Sequence, residues 1–522
     1  MAVLFTNIDR RVVPNWKSFS KTARLGELNN IHTENKVSLF SIDDYEIEWN
    51  LNKSVPFAAD LLGAAISNNQ ITSQKVKEAA RFILDNKNDS TNTQRSLASS
   101  IINSEKEKAE QKMDDFIDEN VFECISLEAI YKKIASLKLR VIDYPSNPFL
   151  YVELSRYYIS IGQIEKSVSS INKALFLCKN NRFIIRSAAR LHLHLKDKEQ
   201  ALYILKKNEL IKNDPWLLAS EISISAMLKK NSSNIKRGLT ILESDNFPLS
   251  SISELASSIG TVEYLNGSYK KSVKLFHKSL MEPNDNSRAQ AEWAASKSLI
   301  QEVDLLNMHK LPKKSFYESC ALSSFNRKEY NDSIKFACDW IEDMPFAEHP
   351  ILFAGNLSTI YLKNYELSEK ILNIGLRANP QNTEMINNIA YACALNDDID
   401  KAEKYLTQIK NSEMDDSTEI CLLATKGLID FRKGLYNTGR ELYLSAIKKS
   451  QEYKYSPILK YTAFLNYARE ELRVNPEAKN HIGPEVSDIK DSDIDEHTRV
   501  LKNDVMMLIE KINIESRQVI LF

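Results

Sequence analysis

The sequence predicts an all-α protein, most of it a solenoid of helical hairpins, on three observations. The first is the stretch Asn147 to Asn181, which reads as two amphipathic helices joined by a turn at Gly162. Tyr151, Leu154 and Tyr158 share one face of the first helix, and Ile164, Ser167, Ile171 and Ala174 share one face of the second. Apolar residues three or four apart mark a helix with one buried side. The second observation is that this unit recurs. The small residue Ser167, where two helices can approach closely, has equivalents at Ala201, Gly238, Ser272, Ser333, Ser368, Ala402 and Gly439. The steps between them are 34, 37, 34, 61, 35, 34 and 37 residues. The third is composition: 12 glycines and 14 prolines in 522 residues are few for folds built on β-turns or glycine-rich phosphate loops.

The elements follow in order. Residues 1 to about 50 mix short apolar runs (Ala2 to Phe5, Val12 to Trp16, Val37 to Phe40, Tyr45 to Trp49) with polar turns, and read as short strands or irregular segments. Ser54 is a candidate N-cap, with Pro56 in the first turn of a helix reaching Ala64. A second helix begins near Ser73 and carries Val76, Ala79, Ala80, Phe82 and Ile83 on its buried stripe. A third spans about Arg95 to Ile117, nearly all polar in its middle, and Leu127 to Asp143 leads into the first repeat. Residues 1–146 are thus expected to form a mainly helical N-terminal or capping domain. The solenoid covers 147–473, with one irregular unit near 284–312 holding Trp293 and Leu311-Pro312. Residues 474–495 have the composition of an acidic linker. Residues 496–522 read as a helix with a Val500, Leu501, Val505, Met506, Ile509 stripe and an apolar tail.

Tyr151-x2-Leu154-Ser155-x2-Tyr158 and the 34-residue step resemble the tetratricopeptide repeat. The resemblance covers about 147–473 and implies a concave groove lined by the first helix of each unit. Its groove positions fall 15, 11, 8 and 7 residues before the small crossing residue. In the first two units this implies a partner-binding set that includes Arg156, Arg186, Arg190 and His194, suited to carboxylate or phosphate recognition. The alternative is that these arginines pair with acids of adjacent repeats. In the later units the same positions give Phe353, Leu357, Tyr391, Leu395, Leu428 and Phe431, an apolar groove unlikely to stay bare in water. A partner helix would fill it, or the chain's own C-terminal helix would; that helix could otherwise pair two subunits into a homodimer. The family's carboxylate-clamp pattern is not reproduced.

Chemistry is absent from the sequence in any recognisable form. There is no GxxxxGK[ST], GxGxxG, G-x-S-x-G or HExxH. His192 and His194 stand two apart on a helix and diverge, and Asp397, Asp398 and Asp400 read as turn and cap residues. No catalytic residue, metal site or cofactor is expected, and the chain is read as a non-enzyme. The charge balance, 69 basic against 70 acidic residues, provides no field for a polyanion or an anionic membrane. No apolar run approaches the ~18 residues of a membrane span, and six scattered cysteines without CxxC pairs fit a reducing, cytoplasmic setting. The Lys, Asn and Ile usage suggests an AT-rich, bacterial genome. The leading expectation is a protein-interaction scaffold or adaptor that holds a partner peptide or helix in its groove. The alternatives are an accessory subunit of a nucleic-acid-acting complex using the arginine patch, and an enzyme with an unrecognised site in the N-terminal domain.

Overall fold

The computed structural model describes residues 16, 42–67, 73–103, 122, 125–244, 246–296, 316–409, 415–452 and 457–520. The expected short runs before residue 41 other than Trp16, the polar middle of the third helix, and Leu311-Pro312 lie outside these. The chain forms two compact units, one of residues 32–118 and one of 1–31 with 119–522.

The smaller unit holds α1 (Ile42–Leu51), α2 (Val55–Ser67), α3 (Gln74–Asp85) and α4 (Asn92–Asn103). Tyr45 to Trp49, expected as strand or irregular, is helical. Tyr45, Ile47 and Trp49 alternate as in a strand, but only the spacing Ile42, Tyr45, Trp49 meets the core, and Ile47 stays exposed. Trp49 is fully buried with Leu61, Leu62, Val76 and Ile83, and Phe82 meets it edge-on at 5.1 Å. The stripe Val76, Ala79, Ala80, Ile83 is buried on α3, at the spacing that its amphipathic sequence requires.

The larger unit is a tetratricopeptide-like helical-hairpin solenoid. After α5 (Leu127–Asp143) come the pairs α6 (Pro148–Ser160) and α7 (Ile164–Leu177), α8 (Arg182–His194) and α9 (Lys198–Lys206), α10 (Pro215–Met227) and α11 (Ile235–Glu243), and α12 (Leu249–Leu265) and α13 (Tyr269–Ser279). The irregular unit contributes α14 (Asp285–Ser296), whose Trp293 packs edge-on to Tyr264 at 5.4 Å. Three more pairs follow: α15 (Tyr317–Asn326) with α16 (Tyr330–Asp343), α17 (Glu348–Asn356) with α18 (Tyr365–Ala378), and α19 (Thr383–Leu395) with α20 (Ile399–Leu406). The last is α21 (Asp416–Arg432) with α22 (Tyr436–Glu452), before α23 (Pro457–Val474), α24 (Lys479–Asp488) and α25 (Glu496–Ile520). Among the described residues there is no strand.

All eight crossing residues are buried. Where the residue is serine it also ties the hairpin. Ser167, Ser272 and Ser333 each donate to a carbonyl twelve residues back, on Ser155, Gly260 and Ala321, at 2.7–2.8 Å. Ser368 does the same to Gly355 at 3.0 Å, thirteen residues back. The extra residue is the one that makes this step 35 rather than 34, and a π turn at Leu357–Tyr361 absorbs it. Five residues before seven of the eight crossing residues the chain turns through a left-handed φ, at Gly162, Lys196, Gly267, Lys328, Lys363, Asp397 and Gly434. Only glycine adopts that conformation without cost.

The array turns back on itself. Arg156 Nη2 donates to the Asp343 carbonyl at 2.7 Å, and His194 stands edge-on to Phe346 at 5.4 Å. Arg377 Nη1 reaches the Ile125 carbonyl at 2.9 Å. Trp16, 1% exposed, meets Phe346 at 5.5 Å. The segment 343–346 therefore occupies the inner side of the first two repeats.

The chain after 474, whose composition suggests a linker, is ordered over 475–495. α24 and its flanks bury Ala478, Ile482, Val486, Ile489 and Ile494 against Leu465, Ala468 and Leu472 of α23. The first four, three or four apart, make a helical stripe that the surrounding acids obscure. α25 adds Leu501, Val505, Ile509 and Ile512 to the same core.

Candidate functional site

The expected site residues fall into three places. Arg156, Arg186 and Arg190 are 6%, 1% and 6% exposed. Arg186 pairs with Glu254 at 2.5 Å, two repeats on, and lies 5.0 Å from the Trp216 ring. Neighbouring Arg182 pairs with Asp214 at 2.6 Å. His194 is packed against Phe346, and burial pushes its pKa down to about 4, outweighing the attraction of Glu348. The arginine ladder is thus closed over by the returning segment and by acids of the same array. Arg156, Arg186 and Arg190 are buried within the array rather than presented on a free face.

Phe353, Leu357, Leu428 and Phe431 are also buried, in the seams between helices. Phe353 meets Phe325 at 5.8 Å. Phe431 lies in a ring cluster with Tyr436, Tyr443 and Tyr467. The π turn explains part of this: one extra residue before Ser368 puts Asn356 in the groove where Leu357 was expected.

Tyr391 and Leu395 do face a groove, and α25 covers it. Thr498 and Thr462 hydroxyls lie 2.9 Å apart, His497 meets Tyr361 at 5.7 Å, and Lys363 Nζ donates to Asp504 at 3.0 Å. Lys328 pairs with Glu496 at 2.9 Å. Both lysines sit at the left-handed turn position of their repeats, so the turn residues of successive hairpins hold one flank of the helix. Burial holds the His497 imidazole at a pKa of about 4, against the pull of Asp495.

Between α25 and the groove lies a cavity of about 70 Å³, partly open to solvent. Tyr391 crosses it to donate its hydroxyl to Asn466 Oδ1 at 2.8 Å, and Asn388 Nδ2 reaches Asn356 Oδ1 at 3.3 Å. Asn356, Thr462, Asn466 and Arg469 were not singled out in the sequence, because isolated polar residues inside amphipathic helices resemble ordinary surface residues.

Buried thiols offer no obvious nucleophile. Burial pushes Cys338 and Cys393 up to about 12, so neither is a thiolate near neutrality. Among the described residues no three His, Cys, Asp or Glu side chains are grouped to hold a metal ion, and no helix is long and apolar enough to cross a membrane.

No protein-family model and no curated protein matches this sequence. Among solved structures it resembles the crystal structure of the yeast Tom70, at 15% identity over 76% of this chain and 95% of that one, with a TM-score of 0.29. It also resembles the crystal structure of the APC/C hetero-tetramer Cut9-Hcn1, at 11% identity over 90% of this chain and 92% of that one, with a TM-score of 0.32. At these identities and TM-scores neither likeness bears on what this chain binds.

Proposed function

We propose that the protein is a non-enzymatic interaction scaffold whose groove, between the π turn and α23, receives an amphipathic helix of a partner protein. The observation that carries this is that an amphipathic helix, α25, already lies there. Its apolar face, Leu501, Val505 and Ile509, is buried against α23 and α24, and its flank is held by Lys328 and Lys363. A groove that accepts one such helix has the shape, the apolar lining and the flanking charges for another. The chain's own helix then acts as a plug that a partner displaces, at a cost equal to its docking free energy.

Loosening the plug tests the reading. In Asp504→Lys with Val505→Asp, the Lys363 pair becomes a repulsion and a charge enters a fully buried position. A labelled peptide of residues 496–520 should bind this variant and not the native chain. A partner captured by the variant from host lysate should be released by the same peptide unlabelled. A variant that stays folded yet binds neither would show that α25 is a permanent cap.

A further inference from the structure

Lys328 and Lys363 are the left-handed turn residues of consecutive hairpins, at φ of 64° and 51°. Each turn fixes where its side chain leaves the backbone, so the two ammonium groups stand one repeat apart along the same flank of α25. Lys328 Nζ lies 2.9 Å from Glu496, and Lys363 Nζ lies 3.0 Å from Asp504. Those acids are eight residues apart in sequence, which is about 12 Å of helix. Glu496, Val500 and Asp504 form one i, i+4, i+8 ridge. Val500, midway between the acids, lines the cavity over the groove.

The other ion pairs of α25 run back to its own approach or along itself. Arg499 reaches Glu496 and Asp491, Lys502 reaches Asp491, and Lys511 reaches Glu515. Among the described residues, its ion pairs to the repeats are therefore those of Lys328 and Lys363. The two lysine side chains are 65% and 54% exposed. Pairs this open add little to affinity. They act on choice, because a neutral or wrongly spaced helix leaves them unmatched and a basic one is repelled.

We propose that the groove selects a partner helix with two acidic residues eight apart on one ridge and an apolar residue midway between them. The first acid meets Lys328, the second meets Lys363, and the apolar residue takes the place of Val500. This rests on the scaffold reading and adds what the partner must carry.

Peptides of residues 496–520 titrated into the loosened full chain, Asp504→Lys with Val505→Asp, provide the test. One peptide is native, and one carries Glu496→Gln with Asp504→Asn. A third exchanges two neighbours, Asn503→Asp with Asp504→Asn, which keeps composition and net charge but shortens the acid spacing to seven. At low salt the neutral peptide should bind roughly three- to thirtyfold more weakly than the native one, and the exchanged peptide about two- to fivefold more weakly. Raising the salt should narrow both gaps. Adding Lys328→Gln and Lys363→Gln to the chain should remove most of each gap. Native and neutral peptides binding alike, native and exchanged peptides binding alike, or gaps of the same size on the glutamine chain would each overturn the proposal and leave the scaffold reading standing. A native peptide that binds nothing would remove the scaffold reading, and this inference with it.

Discussion

At the scale of single residues, the repeats are joined by a backbone requirement as regular as their apolar pattern. The turn of the third hairpin departs from the rest: its left-handed residue is Lys229, nine before Gly238, and its side chain is exposed. A non-glycine residue there carries roughly 1 kcal/mol of strain. Lys229→Gly should therefore stabilise the chain by about that amount in urea unfolding, with an unchanged m-value. The turn was read from the sequence at Gly162, and Gly267 and Gly434 carry the same sign, whereas Lys and Asp at the other equivalent positions carry no sequence sign of a left-handed φ. The same blindness applies to the site. Arg186 and Arg190 stand one turn apart on α8, as the repeat spacing requires, but the acid two repeats away that meets Arg186 could not be paired with it from spacing alone.

At the scale of elements, the crossing residue sets how close two helices come. Ala402 is fully buried at the α19–α20 seam. Ala402→Leu should destabilise by about 1–3 kcal/mol through overpacking, seen as a lower urea midpoint. The hairpins themselves were readable because periodicity of 3.6 and a fixed 34-residue step are local and redundant. Two features were not. The π turn at Leu357–Tyr361 leaves only a step of 35, and it shifts which side chains reach the groove by one residue. The helix α24 hides Ile482, Val486 and Ile489 among acids, so composition suggests a linker where spacing makes a stripe.

At the scale of the larger unit, closure of the array couples repeats far apart in sequence. Phe346, 3% exposed, touches both Trp16 and His194. Phe346→Ala should cost about 3–5 kcal/mol, and amide exchange should quicken in α8 as well as near residue 346. An array coupled only through neighbouring repeats would lose protection near residue 346 alone. Closure also buries His194, and the plug buries His497, both as neutral imidazoles with pKa values of about 4. The unfolded chain binds those protons at about pH 6.5, so below that pH it holds more protons than the fold does. Stability from these two groups is therefore complete above pH 6.5 and is lost as the pH falls towards 4, by roughly 1–3 kcal/mol for each. Thermal melts across pH 7 to 4 should show it, and His497→Gln should remove the part that belongs to the plug.

The most direct measurement of the central claim locks α25 in place. The Thr462 and Thr498 hydroxyls are 2.9 Å apart, so cysteines at both positions can form a disulfide that staples the helix to α23. In the loosened Asp504→Lys, Val505→Asp background, the labelled 496–520 peptide should bind the reduced protein. Oxidation should abolish that binding, and reductant should restore it. Equal binding before and after oxidation would mean that the peptide's site is elsewhere, and would contradict the groove as the place where a partner helix docks.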